Sequence, residues 1–437
     1  MAKRIFANEA SKHVGEEIAL AGWVYRKRES GGIVFIVMRD STGILQIAVK
    51  KDSVKEKDWQ SARDSTIESS IKVVGTVKQD ERAPTGYEVS AKSFENVQVA
   101  EPFPITEYQS PELLLDKRHL WLRSQRMTAI LKARSYVFRY AREFLDKRGF
   151  FEITPPIITM AGGETGADLF EVNYFGQKAY LTESSQLYAE ALIFALEKVY
   201  SFAPSFRAEK SRTTKHLAEF WHLEPEMAYY NINDNMRLQE RLVSYIANKL
   251  AEHEDILKTV GVDPETLKKV KPPFKRVKYE EALEIINSKD SSEHLKWGDD
   301  FGVPEEKLLT EDEEKPIFVT DWPREVKAFY ASPNPKDPRT VLSDDMQAPH
   351  GHGEIIGGTE RVWTYDELME RIREFEKAKG IKFNLENYDW WIDLRRYGAV
   401  PHAGFGMGLE RLIKWLLNLD HIRDAIPFPR LINRAKP

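Results

Sequence analysis

GFGMGLER, residues 404–411, is the stretch on which the reading of this chain turns. Its glycines suggest a dinucleotide-binding fingerprint, but no apolar strand feeds them and no acidic residue closes a following strand. Behind the glycines, residues 409–419 repeat apolar side chains at helical spacing, which predicts a C-terminal helix entered through a glycine-rich turn. Glycines at 404, 406 and 408 would let the backbone approach a ligand closely.

Working outward, FRAE (residues 206–209) and GFFEITPP (residues 149–156) each say little alone. The first could be a surface ion pair, worth at most about 1 kcal/mol. The second could be a helix end followed by a strand that proline terminates. Ahead of it, Ile130, Ala133, Val137, Tyr140, Ala141 and Phe144 fall at helical spacing, predicting a helix over 128–147 that Gly149 closes. Further helices are expected over 186–200, 239–253 and 279–287, and strands over 150–154, 223–230 and 390–395. Long helices with separated strands predict an α+β catalytic domain over 126–437, an antiparallel sheet flanked by helices.

The first hundred residues differ. β-rich runs at 18–25, 33–38, 44–49, 70–77 and 87–91, separated by small turns, suit a small barrel over 1–100. EPFPITEYQSPE (residues 101–112), with its prolines, reads as the start of a linker that runs to about residue 125.

Composition bounds the function. At 437 residues the chain should hold two or three domains, and 42% apolar content supplies a sizeable core. No cysteine is present, so disulfides, thiolate metal sites and cysteine nucleophiles are excluded. A net charge of −5 argues against non-specific coating of nucleic acid while leaving room for a local basic face. The N-terminus lacks a signal-peptide core, and no run reaches the roughly 18 apolar residues of a membrane span, so a cytoplasmic protein without membrane attachment is expected.

Taken together and in this order, GFFEITPP, FRAE and GFGMGLER resemble the signature motifs of class II aminoacyl-tRNA synthetases, over about 127–156, 205–230 and 404–419. The resemblance spans essentially the whole chain and is closest to the aspartyl/asparaginyl/lysyl subgroup in an archaeal-like form, which carries an N-terminal anticodon-binding OB-fold barrel. It implies an ATP-dependent ligase and, through the motif 1 helix, a homodimer. Activation joins two anions, a carboxylate and the α-phosphate of ATP, so such a site supplies positive charge and positioning. The resemblance gives catalytic roles to Arg207, on the α-phosphate and substrate carboxylate, and to Arg411, on the γ-phosphate. ATP would also meet Ala208, Glu209 (at the adenine amino group), Lys215, His216, Leu217, Glu354, Gly408, Leu409 and Glu410. Relatives often carry arginine where Lys215 stands, which keeps the charge and loses the fork. Mg²⁺ is implied at Glu354 and Asp345, with Asp344 a neighbouring competitor.

The substrate reading also rests on the resemblance. QLYAE (residues 186–190) has Ala189 where aspartyl enzymes place a lysine, and HLAEFWHLEPEMA (residues 216–228) has Glu224 where they carry an aspartate. Gly357 replaces their metal-serving serine. Arg361 would donate to the side-chain oxygen of L-asparagine while Glu224 accepts from its amide nitrogen. Glu164 and Gln186 would meet the α-amino end. The expected partner is tRNA(Asn), read by Arg28, Phe35 and Gln46 on the barrel: Phe35 would stack on an anticodon base and Gln46 read its edge. Whether Phe35 faces the core instead is open, because sequence does not set the phase of that strand. Rival readings are an aspartyl-tRNA synthetase, possibly non-discriminating, a tRNA-independent asparagine synthetase, and an inactive tRNA-binding homologue. Residues 258–337 resemble a subgroup insertion whose charge suggests a solvated face more than chemistry.

Overall fold

A computed structural model describes residues 2–106, 108–161, 169–210, 213–289 and 294–437. The chain divides into two compact units, Met1–Leu120 and Trp121–Pro437.

In the first unit, Glu17–Ser30, Ile33–Arg39, Ile44–Lys50, Tyr87–Gln98 and Ser70–Gln79 pair in that order, and Ser70–Gln79 pairs back onto Glu17–Ser30 to close the barrel. Alternation sorts the side chains: Val34, Ile36 and Met38 enter the core with Leu20, Val24, Leu45 and Ile47, and Trp59 from the helix Glu56–Asp64 packs with them. A side chain at Gly75 would collide with the Ser90 carbonyl, so glycine is needed where two strands press together. The stretch expected as linker carries short helices, Pro111–Asp116 and Arg118–Trp121.

The second unit is organised by an eight-stranded sheet in the order Lys275–Lys278, Ile317–Thr320, Ser343–Ala348, Gly353–Glu360, His402–Gly408, Glu219–Ala228, Lys198–Phe206, Phe151–Ile153. Its inner pairs are antiparallel, and the outermost pair at each end is parallel. The helix Gln125–Asp146 starts at Ser124, whose hydroxyl accepts from the Met127 N–H at 3.2 Å. Its apolar stripe packs inside the unit with Leu242, Val243, Ile246 and Leu250 of the helix Ile232–Ala251. The stripe is thus accounted for within one chain and is not by itself a sign of a dimer face.

The structure corrects three expectations. The helix begun at Gln186 ends at Leu196; Glu197 takes a φ of 62° and Lys198–Phe206 is a strand. Buried on both sides from Val199 to Ala203, that strand shows no alternation, so periodicity cannot tell it from a helix. Residues 390–395 are helical, spanning Asp389–Ile392 and Asp393–Arg395, because buried Trp391 and Ile392 pack into the cluster around Phe329 and Tyr388. The glycine-rich turn is the central strand His402–Gly408, with Phe405 and Met407 in the core.

Candidate active site

The three glycines of that strand lie on one sheet face, where the strand Glu219–Ala228 raises His222, Glu224 and Glu226. A side chain at Gly404 would collide with the Glu226 carboxylate, and one at Gly406 would reach Glu224 and His222 at 3.8 Å. Bare backbone beside tall polar neighbours makes a floor with walls. The next strands continue it, since Gly406 pairs with Gly357 and Gly357 with Asp345. The resulting cleft is lined by Gln186, Arg207, Lys215, His216, Leu217, Glu224, Asp345, Glu354, Gly357, Arg361, Gly408, Glu410 and Arg411 among others.

Arg361 is 4% exposed. It donates from Nε and Nη2 to the two oxygens of Glu226 at 3.0 and 2.9 Å, and from Nη1 to Thr359 Oγ1. Burial works against its charge, but Glu226 outweighs burial and holds the guanidinium protonated. The Glu224 carboxylate accepts from Ser184 Oγ, Ser185 Oγ and the Ser185 N–H, the last at 2.8 Å. Gln186 donates to Glu190 at 3.0 Å, and Glu190 is gripped by Arg395 and His402. Glu190, Glu226 and His402 gather closely enough to suggest a metal ligand set, but the Arg395 and Arg361 guanidinium groups already neutralise them. Ala189 is buried in a small apolar cluster.

Toward the other end of the cleft, Arg411 donates to the Glu354 carbonyl and carboxylate at 3.2 and 3.1 Å. Burial would raise the Glu354 acid, but Arg411, then Lys327 and Arg207, hold it well below the usual carboxylate range. Lys327 lies on Asp345 at 2.6 and 2.7 Å. Glu354 Oε1 and Asp345 Oδ1 come within 3.3 and 3.6 Å of the point where a Gly357 side chain would begin. Two carboxylates flanking that gap are a donor set that fits Mg²⁺, which keeps waters and takes phosphate oxygens. Arg207 donates its backbone N–H to Ala218 at 3.0 Å and carries its guanidinium over the Phe220 ring. His216 bonds Thr213 and lies 3.8 Å from Glu209.

Some expected residues stand elsewhere. Leu409 is buried in the core, and the Glu410 carboxylate binds Arg134 and the Trp221 N–H, so its side chain braces the helix Gln125–Asp146. Ala208 and Glu209 are not among the lining residues. Asp344 points to the opposite face, toward Asn235 and Gln239, so it does not compete with Asp345. Glu164 lies outside the described residues. Sequence reasoning missed Glu226, Ser184, Ser185 and Lys327. Glu226 was within reach, because two residues past Glu224 in a strand means the same face.

Burial, opposed by Glu224, pushes the His222 imidazole down to about 4. The ring is therefore neutral near pH 7, sharing a hydrogen bond with Ser205 Oγ at 3.0 Å. The unfolded ring protonates near pH 6.5 and the folded one resists, so this contribution to stability is complete above about pH 6.5 and lost as pH falls toward about 4. A His222→Gln chain is expected to lose that part of the acid slope, on the order of 2–3 kcal/mol, in urea melts compared near pH 7 and near pH 4.5. Equal slopes in both chains would contradict it.

On the barrel, Phe35 faces away from the core, and the Arg28 guanidinium lies 4.4 Å from its ring centroid. Gln46 is buried, donates to Glu88 at 2.8 Å and lies opposite Val37 on that outer face. Lys27, between Arg26 and Arg28, donates to the Ser65 carbonyl at 2.7 Å and serves the barrel's own structure.

Residues 110–432 match the family described as tRNA synthetases class II (D, K and N), and residues 18–97 match the OB-fold nucleic acid binding domain. The asparagine–tRNA ligase of Thermoplasma acidophilum is 47% identical over 97% of each chain. That of Thermococcus kodakarensis is 50% identical over 97% of this chain and 96% of its own. The crystal structure of asparaginyl-tRNA synthetase from Pyrococcus horikoshii complexed with asparaginyl-adenylate superposes with a TM-score of 0.95, at 47% identity and with both chains fully covered. With an OB-fold barrel, a glycine-floored cleft that holds a fixed cation and a fixed anion, and asparagine–tRNA ligases about half identical to it over nearly their full length, the chain belongs to the class II tRNA synthetases of the aspartate, lysine and asparagine group, among the asparagine–tRNA ligases.

Proposed function

We propose that this chain activates L-asparagine with ATP to asparaginyl-adenylate and passes the aminoacyl group to the 3′ end of tRNA(Asn). The observation that carries the substrate choice is the pairing of Arg361, locked by Glu226, with Glu224, locked by Ser184 and Ser185, on one face of the sheet. A neutral amide offers an oxygen to the first and an N–H to the second. A bound aspartate would meet a carboxylate at Glu224, and Ala189 supplies no cation of the kind aspartyl enzymes place at that position. Gln186 and Glu164 take the α-amino end.

In the first step a carboxylate oxygen of asparagine attacks the α-phosphorus, forming a P–O bond as the bond to pyrophosphate breaks. Arg207 neutralises both anions at the point of attack, and Arg411 takes the γ-phosphate with Lys215 and His216 alongside. Glu354 and Asp345 would hold Mg²⁺, which when bound supplies charge neutralisation to the phosphates. In the second step a hydroxyl of the terminal ribose attacks the adenylate carbonyl and AMP leaves. The enzyme works as a homodimer in this reading, which rests on the family's motif 1.

Pyrophosphate exchange with asparagine and with aspartate tests the proposal: exchange with asparagine only is expected, and stronger exchange with aspartate would overturn it. In a Glu224→Gln chain the new amide group faces the Ser185 N–H, so asparagine activation should fall roughly 100-fold and the margin over aspartate should narrow, consistent with about 2–3 kcal/mol for a hydrogen bond to a buried charge. Unchanged selectivity would remove Glu224 from the pocket. A Phe35→Ala chain should raise the KM for tRNA roughly tenfold, the range of one lost stacking contact, and leave pyrophosphate exchange untouched. An altered exchange rate with an unchanged tRNA KM would contradict the stacking role.

A further inference from the structure

Residues 258–337, expected as a solvated charged face, contain the helix Val303–Thr310, and its Glu306 is buried. The Glu306 carboxylate forms an ion pair with Lys215, a buried residue that lines the cleft. The two side chains meet over Gly353, where any side chain would collide with both. Gly353 has a φ of +80° and directly precedes Glu354. The end of the helix is tied to the same turn, since the His350 N–H donates to the Thr310 carbonyl at 2.8 Å and the Gly351 N–H to Thr310 Oγ1 at 3.2 Å.

This arrangement is poorly explained as a stabilising device. A buried ion pair is costly to desolvate, and apolar side chains of similar volume commonly serve as well. It is better explained as placement. Lysine carries a point charge on a flexible four-carbon stem and, unlike arginine, does not orient itself by a planar fork. Burial, then Arg411 and Lys414, work against the Lys215 charge, while Glu354 and Glu305 support it. Glu306, in direct contact with Lys215, holds the ammonium in place, and an ammonium with three donors can bond Glu306 and still face a phosphate.

We propose that Glu306 is a positioning residue of the nucleotide site: it stations the Lys215 ammonium where the triphosphate enters, making the insertion helix part of the machinery. The inference rests on the reading of the cleft as the ATP site.

The test is asparagine-dependent pyrophosphate exchange on the full chain with ATP varied. Glu306→Gln should raise the ATP KM roughly tenfold, leave the asparagine KM within about twofold, and retain a cooperative melt. Lys215→Met supplies the second edge of a double-mutant cycle: in its background Glu306→Gln should add less than about twofold to the ATP KM. An unchanged or lowered ATP KM in Glu306→Gln, or effects that simply add, would overturn the proposal. If Glu306→Gln fails to fold, Glu306→Asp carries the same cycle with the same outcomes. Absence of asparagine-dependent exchange in the unaltered chain would sink the underlying reading instead, a result distinguishable from either.

Discussion

An Arg361→Gln chain is expected to lose roughly three orders of magnitude in asparagine-dependent pyrophosphate exchange, because truncating one partner of a buried, hydrogen-bonded charge pair costs about 2–5 kcal/mol. Two losses coincide. The donor to the substrate's side-chain oxygen disappears, and Glu226, 2% exposed, keeps a buried charge with its bidentate partner gone. Arg361→Lys should do little better, since an ammonium cannot donate in two parallel directions to Glu226 while reaching Thr359 and the ligand. Steady-state exchange with asparagine varied, beside a thermal melt, separates lost recognition from lost folding. A folded Arg361→Gln chain within tenfold of the parent would remove Arg361 from substrate recognition.

The second large effect is expected at Arg207. If Arg207 grips the α-phosphate as proposed, Arg207→Lys retains the charge and loses the two-pronged geometry, so the rate of adenylate formation should fall about 100- to 1,000-fold, the usual result of removing one preorganised donor from developing charge. The loss should appear in kcat more than in the KM for asparagine, because the contact strengthens as the phosphorus is attacked. Single-turnover adenylate formation with saturating ATP reads it directly. A rate within fivefold of the parent would place the decisive charge elsewhere, with Arg411 the next candidate.

Much of the fold was legible because its signals were long and local. The barrel strands alternated over turn residues, and the helix Gln125–Asp146 repeated its stripe over several turns. What failed lacked a period that separates helix from strand: Lys198–Phe206 is buried along most of its length, and Asp389–Ile392 is a single turn with only Trp391 and Ile392 buried. Glycines at 404, 406 and 408 misled for a related reason. In a strand, glycine signals something tall opposite, here Glu226 and its neighbours, and the partner strand is nearly two hundred residues away in sequence. Arg207, Lys215, His216, Glu224, Glu354, Arg361 and Arg411 stand together around the cleft, while Ala208, Glu209 and Leu409 of the same motifs do not line it; the supports Ser184, Ser185 and Lys327 come from loops whose spacing has no regular geometry. The phase of Phe35 needed the barrel's register, set by its pairing with Arg28 on one side and Ala48 on the other.

The strand Ser343–Ala348 places Asp345 in the cleft and Asp344 behind the sheet against the amides of Asn235 and Gln239. Twin aspartates hide a vulnerability: gaining or losing one residue within this strand would swap which acid looks outward, yet an aligned sequence would still show an aspartate at each place. Such a lesion would take the carboxylate that pairs with Lys327 out of the cleft while the OB-fold barrel stayed whole. Length variation among descendants of this gene should therefore be confined to the turn at 349–352 and absent from the strand itself.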